Sequence, residues 1–173
     1  MRRFLTLLAL ALLALRLLIQ PMASYGQDTS EAAVKTAFLY NFFKFVDFPD
    51  SDNLTQYTLC TYQDDLGDSL LTLLDKQVAG KPLIVLRTQD LEQLKHCQIA
   101  YLGVSAATVA AQLKSFPVLT VGSAPNFAEQ GGIIGFTVKD NRLSFEVNLA
   151  TATLAHVYIN AKLLKLARYV YSD

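Results

Sequence analysis

The chain contains no tryptophan, and only two cysteines and two histidines among its 173 residues. Each scarcity removes a class of chemistry. His96 and His156 are the only imidazoles, and no acidic residue stands at ligand spacing from either, so a transition-metal centre lacks its donor set. The two cysteines, Cys60 and Cys97, are too far apart for a Cys-x-x-Cys redox site. The run Gly131-Gly132-Ile133-Ile134-Gly135 has no P-loop lysine and leads into a strand-like segment, where glycines serve tight turns or close backbone approach. Ser105 has neither a Gly-x-Ser-x-Gly context nor a suitable histidine. Asp64 and Asp65 lie in a turn ahead of a helix, where carboxylates suit the helix N-terminus without any catalytic role. The other acidic residues are scattered, and no general acid–base pair can be nominated. We therefore expect no catalytic residue, no metal and no cofactor. Basic and acidic residues number 15 each, with no basic run, which argues against nucleic acid as a partner.

What the chain does have begins at its first residue. Arg2 and Arg3 precede an apolar run from Phe4 to Leu15, which resumes after Arg16 and ends at Pro21. Ser24 and Gly26 follow, spaced like the −3 and −1 positions of a signal-peptidase site. Residues 1–26 read as a secretory signal peptide cleaved near Gly26. The alternative is an uncleaved anchor, but Phe4 to Ile19 falls short of the ~20 residues of a spanning helix and carries a charge. No cysteine near Gly26 offers a lipid attachment point. Removing Arg2, Arg3 and Arg16 leaves 12 basic against 15 acidic residues, a formal −3 for residues 27–173. That length suits one domain with a proper core, folded in the periplasm. In such an oxidising compartment Cys60 and Cys97 can form one disulfide, each beside or inside a strand-like run; two buried free thiols are the alternative.

Along residues 27–173, Asp28 and Glu31 have capping-box spacing, and an apolar helix is expected from there through Phe48, stopped by Pro49. Phe38, Phe42 and Phe45 share one face, widened by Leu39, Phe43 and Val46, while Tyr40, Lys44 and Asp47 form a narrow polar stripe with Asn41 beside it. So wide an apolar arc fits either a core helix or one that also meets a partner. Strand-like and helix-like segments then alternate: strands at Tyr57 to Tyr62, Pro82 to Thr88, Gln98 to Leu102 and Pro117 to Val121, and helices at Leu66 to Leu74, Leu91 to Leu94 and Ser105 to Leu113. Gly132 to Val138 and Arg142 to Val147 flank a Lys139-Asp140-Asn141 hairpin signal. Ala150 to Leu154 follows, and a closing helix is expected from Ile159 to Val170, with Leu163, Leu166 and Val170 inward and Lys162, Lys165 and Arg168 outward. The pattern predicts a three-layer α/β domain: a largely parallel sheet, helices on both faces and a C-terminal antiparallel hairpin.

Three segments carry a resemblance: Ala37 to Pro49 with its aromatic run, Pro117 to Gly132, and Phe145-Glu-Val-Asn148 to Ala161-Lys162 and on to Arg168. In order and spacing they resemble the YfiR family of exported bacterial regulators, over Glu31 to Arg168. The chain departs from the family pattern at Gly135, at Asn160-Ala161 and in having no second cysteine pair. The motif positions are Pro49, Gly122, Gly131, Gly132, Asn148 and Lys162; Asn148 also reads as a helix cap and Lys162 as a charge on the last helix. The resemblance implies a periplasmic regulator that binds the periplasmic domain of an inner-membrane sensor or diguanylate cyclase, holds the cyclase inactive and lowers cyclic-di-GMP. It further implies a homodimer and an outer-membrane lipoprotein that sequesters the regulator. The expected partner-binding residues are Tyr40, Asn41, Lys44 and Phe45, polar groups beside aromatic ones. The alternative function is a small-molecule binding module serving a sensor kinase or a transport system. Its crevice would lie near Gly103 to Ser105 and Gly122 to Ala124, unless these are ordinary βα loops.

Overall fold

Alternation along the inner strands explains the architecture. In the computed structural model, which describes residues 26–104 and 107–172, Leu59, Ile99, Tyr101, Leu119 and Val121 join a large apolar cluster on one side of a sheet. Their neighbours Cys60, Ala100 and Leu102 join a smaller cluster on the other. A strand buried on both faces needs a helical layer above and below, which is the three-layer arrangement expected. Residues 1–25 of the segment expected to be a signal peptide lie outside the described residues, as does Ser105.

The elements are α1 (Gly26–Phe42), β1 (Val46–Asp47), a 3-10 turn (Ser51–Asn53), β2 (Tyr57–Thr61), a 3-10 helix (Gly67–Leu73), β3 (Gln77–Val78), β4 (Lys81–Arg87), α2 (Leu91–Leu94), β5 (Ile99–Tyr101), α3 (Ala107–Leu113), β6 (Leu119–Gly122), β7 (Ile134–Lys139), β8 (Arg142–Asn148), α4 (Leu149–Leu154), β9 (Tyr158–Ile159), α5 (Ala161–Leu164) and β10 (Tyr169–Tyr171). The main sheet has the order β10-β8-β7-β6-β5-β2-β4-β3. Strands β4, β2, β5, β6 and β7 are mutually parallel, and β7 and β8 form the antiparallel hairpin. Leu59↔Ile99, Ile99↔Leu119, Val121↔Ile134 and Ile134↔Val147 set the register through the core. The hairpin turns at Asp140 and Asn141, both at positive φ (51° and 58°), the geometry of a primed two-residue turn. Helix α1 and the 3-10 helix cover one face through Leu39, Phe42, Leu70 and Leu73. Helices α2 and α3 cover the other through Leu94, Ala110 and Leu113.

Two expected helices are corrected. Helix α1 does not run to Phe48; it ends at Phe42, after which the Lys44 amide donates to the Asn41 carbonyl (2.9 Å) and the Phe45 amide to the Phe42 carbonyl (3.0 Å). Val46 and Asp47 then pair antiparallel with Ile159 and Tyr158, because β-branched Val46 and Ile159 suit an extended pair. Asp28 lies inside α1 rather than at its cap. The expected closing helix, Ile159 to Val170, is instead a four-residue helix between two strands. The Asn160 side chain caps it, accepting from the Lys162 amide at 2.8 Å, and Tyr169-Val170-Tyr171 pairs in parallel with Glu146 to Asn148. Leu163 is buried as expected, whereas Leu166 is 66% exposed. The aromatic face of α1 is mostly core: Phe42 meets Phe145 edge-on at 5.5 Å and Phe38 meets it at 5.6 Å. Each such pair adds about 0.5–1.5 kcal/mol beyond its burial.

Candidate functional site

The chain leaves β2 for β4 on one side and returns to β5 on the other, so the strand order reverses between β2 and β5. At the carboxyl ends of strands at such a point, doubly wound sheets bind their ligands. Here the place is occupied by the protein's own charges. Lys35 of α1, its side chain 6% exposed, lies 2.7 Å from Asp65 and 2.8 Å from Glu31. The fully buried Tyr101 hydroxyl donates a short hydrogen bond to Asp65, so its 2.8 Å contact with Ser123 is donated by the serine. Asp64 accepts from the Thr61 hydroxyl (2.7 Å) and the Leu66 amide (3.1 Å), and pairs with Arg87 at 3.3 Å.

Electrostatics hold this network in one protonation state. Burial alone would raise the Asp65 pKa, but the hydrogen bonds from Lys35 and Tyr101 outweigh it and hold the carboxyl below its usual range. Burial alone would lower Lys35, yet its bonds to Asp65 and Glu31 keep the ammonium above its ordinary value. Burial and the Asp65 bond push the Tyr101 phenol far up. The result is a latch that fastens α1 across the strand ends.

The neighbouring βα loops are closely packed at their glycines, and a cleft of about 460 Å³ opens beside them at Ser123, Phe127 and Gly135. Gly103, at φ +54°, has the Gln63 carbonyl oxygen 2.1 Å from where a Cβ would stand. Farther along the edge, the Phe127 ring lies between Gly122 and Gly132, with ring atoms 2.5 Å and 2.0 Å from their would-be Cβ positions. The loop is tied down by Asn148, whose amide donates to the Ala128 carbonyl (2.8 Å) while its oxygen accepts from the Thr151 amide (2.8 Å). Gly131, at φ +100°, supplies the turn that returns the chain to Gly132.

Of the residues expected to meet a partner, Tyr40, Asn41 and Lys44 come together at the end of α1. The Lys44 ammonium sits 4.4 Å over the Tyr40 ring and donates to the Asn41 oxygen at 3.0 Å. The Tyr40 hydroxyl donates to the Gln77 carbonyl at 3.0 Å, which fixes the ring beside β3. Phe45 is half-buried against the core, and its carbonyl accepts from the Asn160 amide at 2.9 Å. Beside this surface a cleft of about 410 Å³ is lined by Lys44, Asp47, Asp52, Tyr57 and Lys81 among others. The Lys81 ammonium is held there by the Ser51 and Asp52 carbonyls at 2.7 and 2.9 Å.

A family model described as YfiR/HmsC-like matches residues 32–168. The chain belongs to that family. No curated protein matches it. Among solved structures it is similar to a conserved domain protein from Vibrio cholerae O1 biovar El Tor, with 13% identity and a TM-score of 0.47. It is also similar to an ABC domain in complex with L-Trp from Streptococcus pneumonia, with 11% identity and a TM-score of 0.47. In each case 80% of this chain is covered, and the chain spans 60% of the other.

In this YfiR/HmsC-like chain the motif positions separate into two sets. Gly122, Gly131, Gly132 and Asn148 are in or against the Phe127 loop, whereas Pro49 and Lys162 are exposed. Cys60 and Cys97 are joined by a disulfide, with Cα atoms 6.0 Å apart, in the smaller apolar cluster. Both histidines are exposed, each just beyond a short helix. Among the described residues no group of three His, Cys, Asp or Glu side chains is placed to hold a metal ion. The sequence reading missed the Lys35–Asp65–Tyr101 latch; its one local signal is a lysine in the buried stripe with Leu39 and Phe42.

Proposed function

We propose that this protein is exported to the periplasm, with residues 1–26 as its cleaved signal peptide and residues 27–173 as a single regulatory domain. There it binds the periplasmic domain of an inner-membrane signalling protein, represses a diguanylate cyclase and so lowers cyclic-di-GMP and biofilm formation. It acts by binding rather than by catalysis, without a cofactor, as a homodimer. An outer-membrane lipoprotein sequesters it. The observation that carries this reading is the YfiR/HmsC-like match over residues 32–168. The Cys60–Cys97 disulfide supports the compartment, since such bonds persist where the surroundings are oxidising. A repressor of this kind shifts its receptor's population by the difference in its affinity for the receptor's two states.

The contact surface we assign to Tyr40, Asn41, Lys44 and Phe45. Its Lys44–Tyr40 stack offers an aromatic plane with a cation, a composition favoured at interfaces. The test is cellular cyclic-di-GMP in a strain lacking the gene, with the wild-type copy and a Lys44→Glu copy restored separately. A rise reversed by the wild-type copy, and not by Lys44→Glu at equal protein level, is expected. No rise on deletion overturns the cyclase reading, and full rescue by Lys44→Glu removes the assigned surface.

A further inference from the structure

The cleft of about 410 Å³ beside the Tyr40–Lys44 surface holds polar groups that the chain itself leaves without partners. The Phe43 and Phe48 rings flank the Tyr57 ring, with centroids 5.6 and 6.4 Å away, and Tyr57 is only 7% exposed. Among the described residues no hydrogen bond reaches its hydroxyl, which is not sealed off and lines the cleft. Burial, and then the carboxylates of Asp52 and Asp47, push this phenol above its ordinary value, so it keeps its proton.

The two carboxylates are uncompensated. Asp47 and Asp52 are exposed and line the cleft, and among the described residues no ion pair reaches either. Two lysines line the cleft as well, but each is committed elsewhere. The Lys81 ammonium donates to the Ser51 and Asp52 carbonyls at 2.7 and 2.9 Å. The Lys44 ammonium lies over the Tyr40 ring and donates to Asn41 Oδ1.

We propose that this cleft receives an arginine side chain of the partner protein, its guanidinium bonded to Asp47, Asp52 and the Tyr57 hydroxyl. That a partner exists rests on the regulatory reading above; the side chain it presents follows from the cleft. Two unpaired carboxylates beside a buried phenol oxygen call for a cation that brings several donors at once. A guanidinium carries five N–H groups in a planar fork, whereas an ammonium carries three on a point charge. Its flat face also suits an aromatic wall such as Phe43, Phe48 and Tyr57 provide. A metal ion would find only two carboxylates here, because the nearby carbonyls already hold Lys81. Lys44 belongs both to the cleft and to the Tyr40 stack, so the two are continuous. An arginine seated in a pocket at such a surface is a side chain on which binding energy concentrates.

The test begins with a probe that needs no partner. Nα-acetyl-arginine amide presents a guanidinium without charged ends; it is titrated into the purified, disulfide-bonded protein carrying isotope-labelled tyrosine rings. A saturable shift of the Tyr57 ring signals, assigned by their loss in Tyr57→Phe, is expected at millimolar concentration. Nα-acetyl-citrulline amide, the uncharged isostere, is expected to give none. Asp47→Asn/Asp52→Asn is expected to weaken binding about tenfold with melting unchanged. No saturable shift, an equal shift with the citrulline compound, or unaltered binding in the double variant overturns the proposal. Equal affinity for Nα-acetyl-lysine amide overturns the choice of arginine. The partner is tested separately by cellular cyclic-di-GMP, where the double variant at equal protein level is expected not to restore the wild-type level. Full rescue by a variant that no longer binds the arginine probe removes the partner from the cleft. If deletion itself leaves cyclic-di-GMP unchanged, the cyclase reading falls, and the titration alone decides whether the cleft takes a guanidinium.

Discussion

Replacing Lys35 with methionine tests the latch at the strand ends. The methionine keeps an unbranched apolar stem in place and removes only the ammonium. Breaking a fully buried ion pair costs about 3–5 kcal/mol, because the remaining charge stays desolvated. Asp65 and Glu31 retain 37% and 45% of their side-chain exposure, so water can recover part of their solvation. Discounted for that exposure, the cost comes to about 2 kcal/mol. Lys35→Met/Asp65→Asn is expected to lose less than the sum of the single variants, by about 1 kcal/mol, since neither group is then left unpaired. The pH dependence gives a second check. The Asp65 carboxyl is held below its usual value, so its contribution is present above the unfolded pKa of about 3.9 and is lost as pH falls through the folded one. The deficit of Lys35→Met should therefore be full at about pH 6 and shrink toward pH 3. With no tryptophan in the chain, the assay is urea unfolding followed by far-ultraviolet circular dichroism. A variant within about 0.5 kcal/mol of wild type, or a deficit unchanged at about pH 3, refutes the latch as an ionic device.

Cys60→Ser opens a loop whose ends are 37 residues apart; the chain-entropy relation gives a loss of about 4 kcal/mol and a melting point lower by roughly ten degrees. Thiol titration in denaturant should find Cys97 free in the variant; unchanged melting with no new thiol contradicts the bond. Gly132→Ala drives a methyl group into the Phe127 ring and is expected to cost about 1–3 kcal/mol, with Phe127→Leu in the same chain recovering part of it. Additive losses in the double variant would mean that the ring and the glycine do not share one space.

The sheet was readable because its strands are short apolar runs between turn residues, as at Tyr57 to Thr61, or alternate with a period of two, as at Arg142 to Asn148. The closing segment was not. Leu163 and Leu166 satisfy helical spacing, and only pairing with Glu146, far away in sequence, selects extended geometry for Tyr169 to Tyr171. The same limit hid the latch. Lys35 shares a stripe with Leu39 and Phe42, but its partner Asp65 lies 30 residues on, in a turn that reads as an ordinary helix approach. Gly122, Phe127 and Gly132 are spaced five apart, which matches neither helix nor strand, so their packing leaves no periodic trace.

The β1–β9 pair has a consequence for how the molecule comes into being. The turn that follows Lys44 is fastened by Tyr158, Ile159 and Asn160, more than a hundred residues downstream. Contacts so distant form late, since the chain between them must first be ordered. The Tyr40–Lys44 surface is therefore encoded early in the polypeptide, and the strand beside it is paired by residues near the other end. A shortened chain lacking residues 158–160 would carry every residue of that surface without the strand that flanks it.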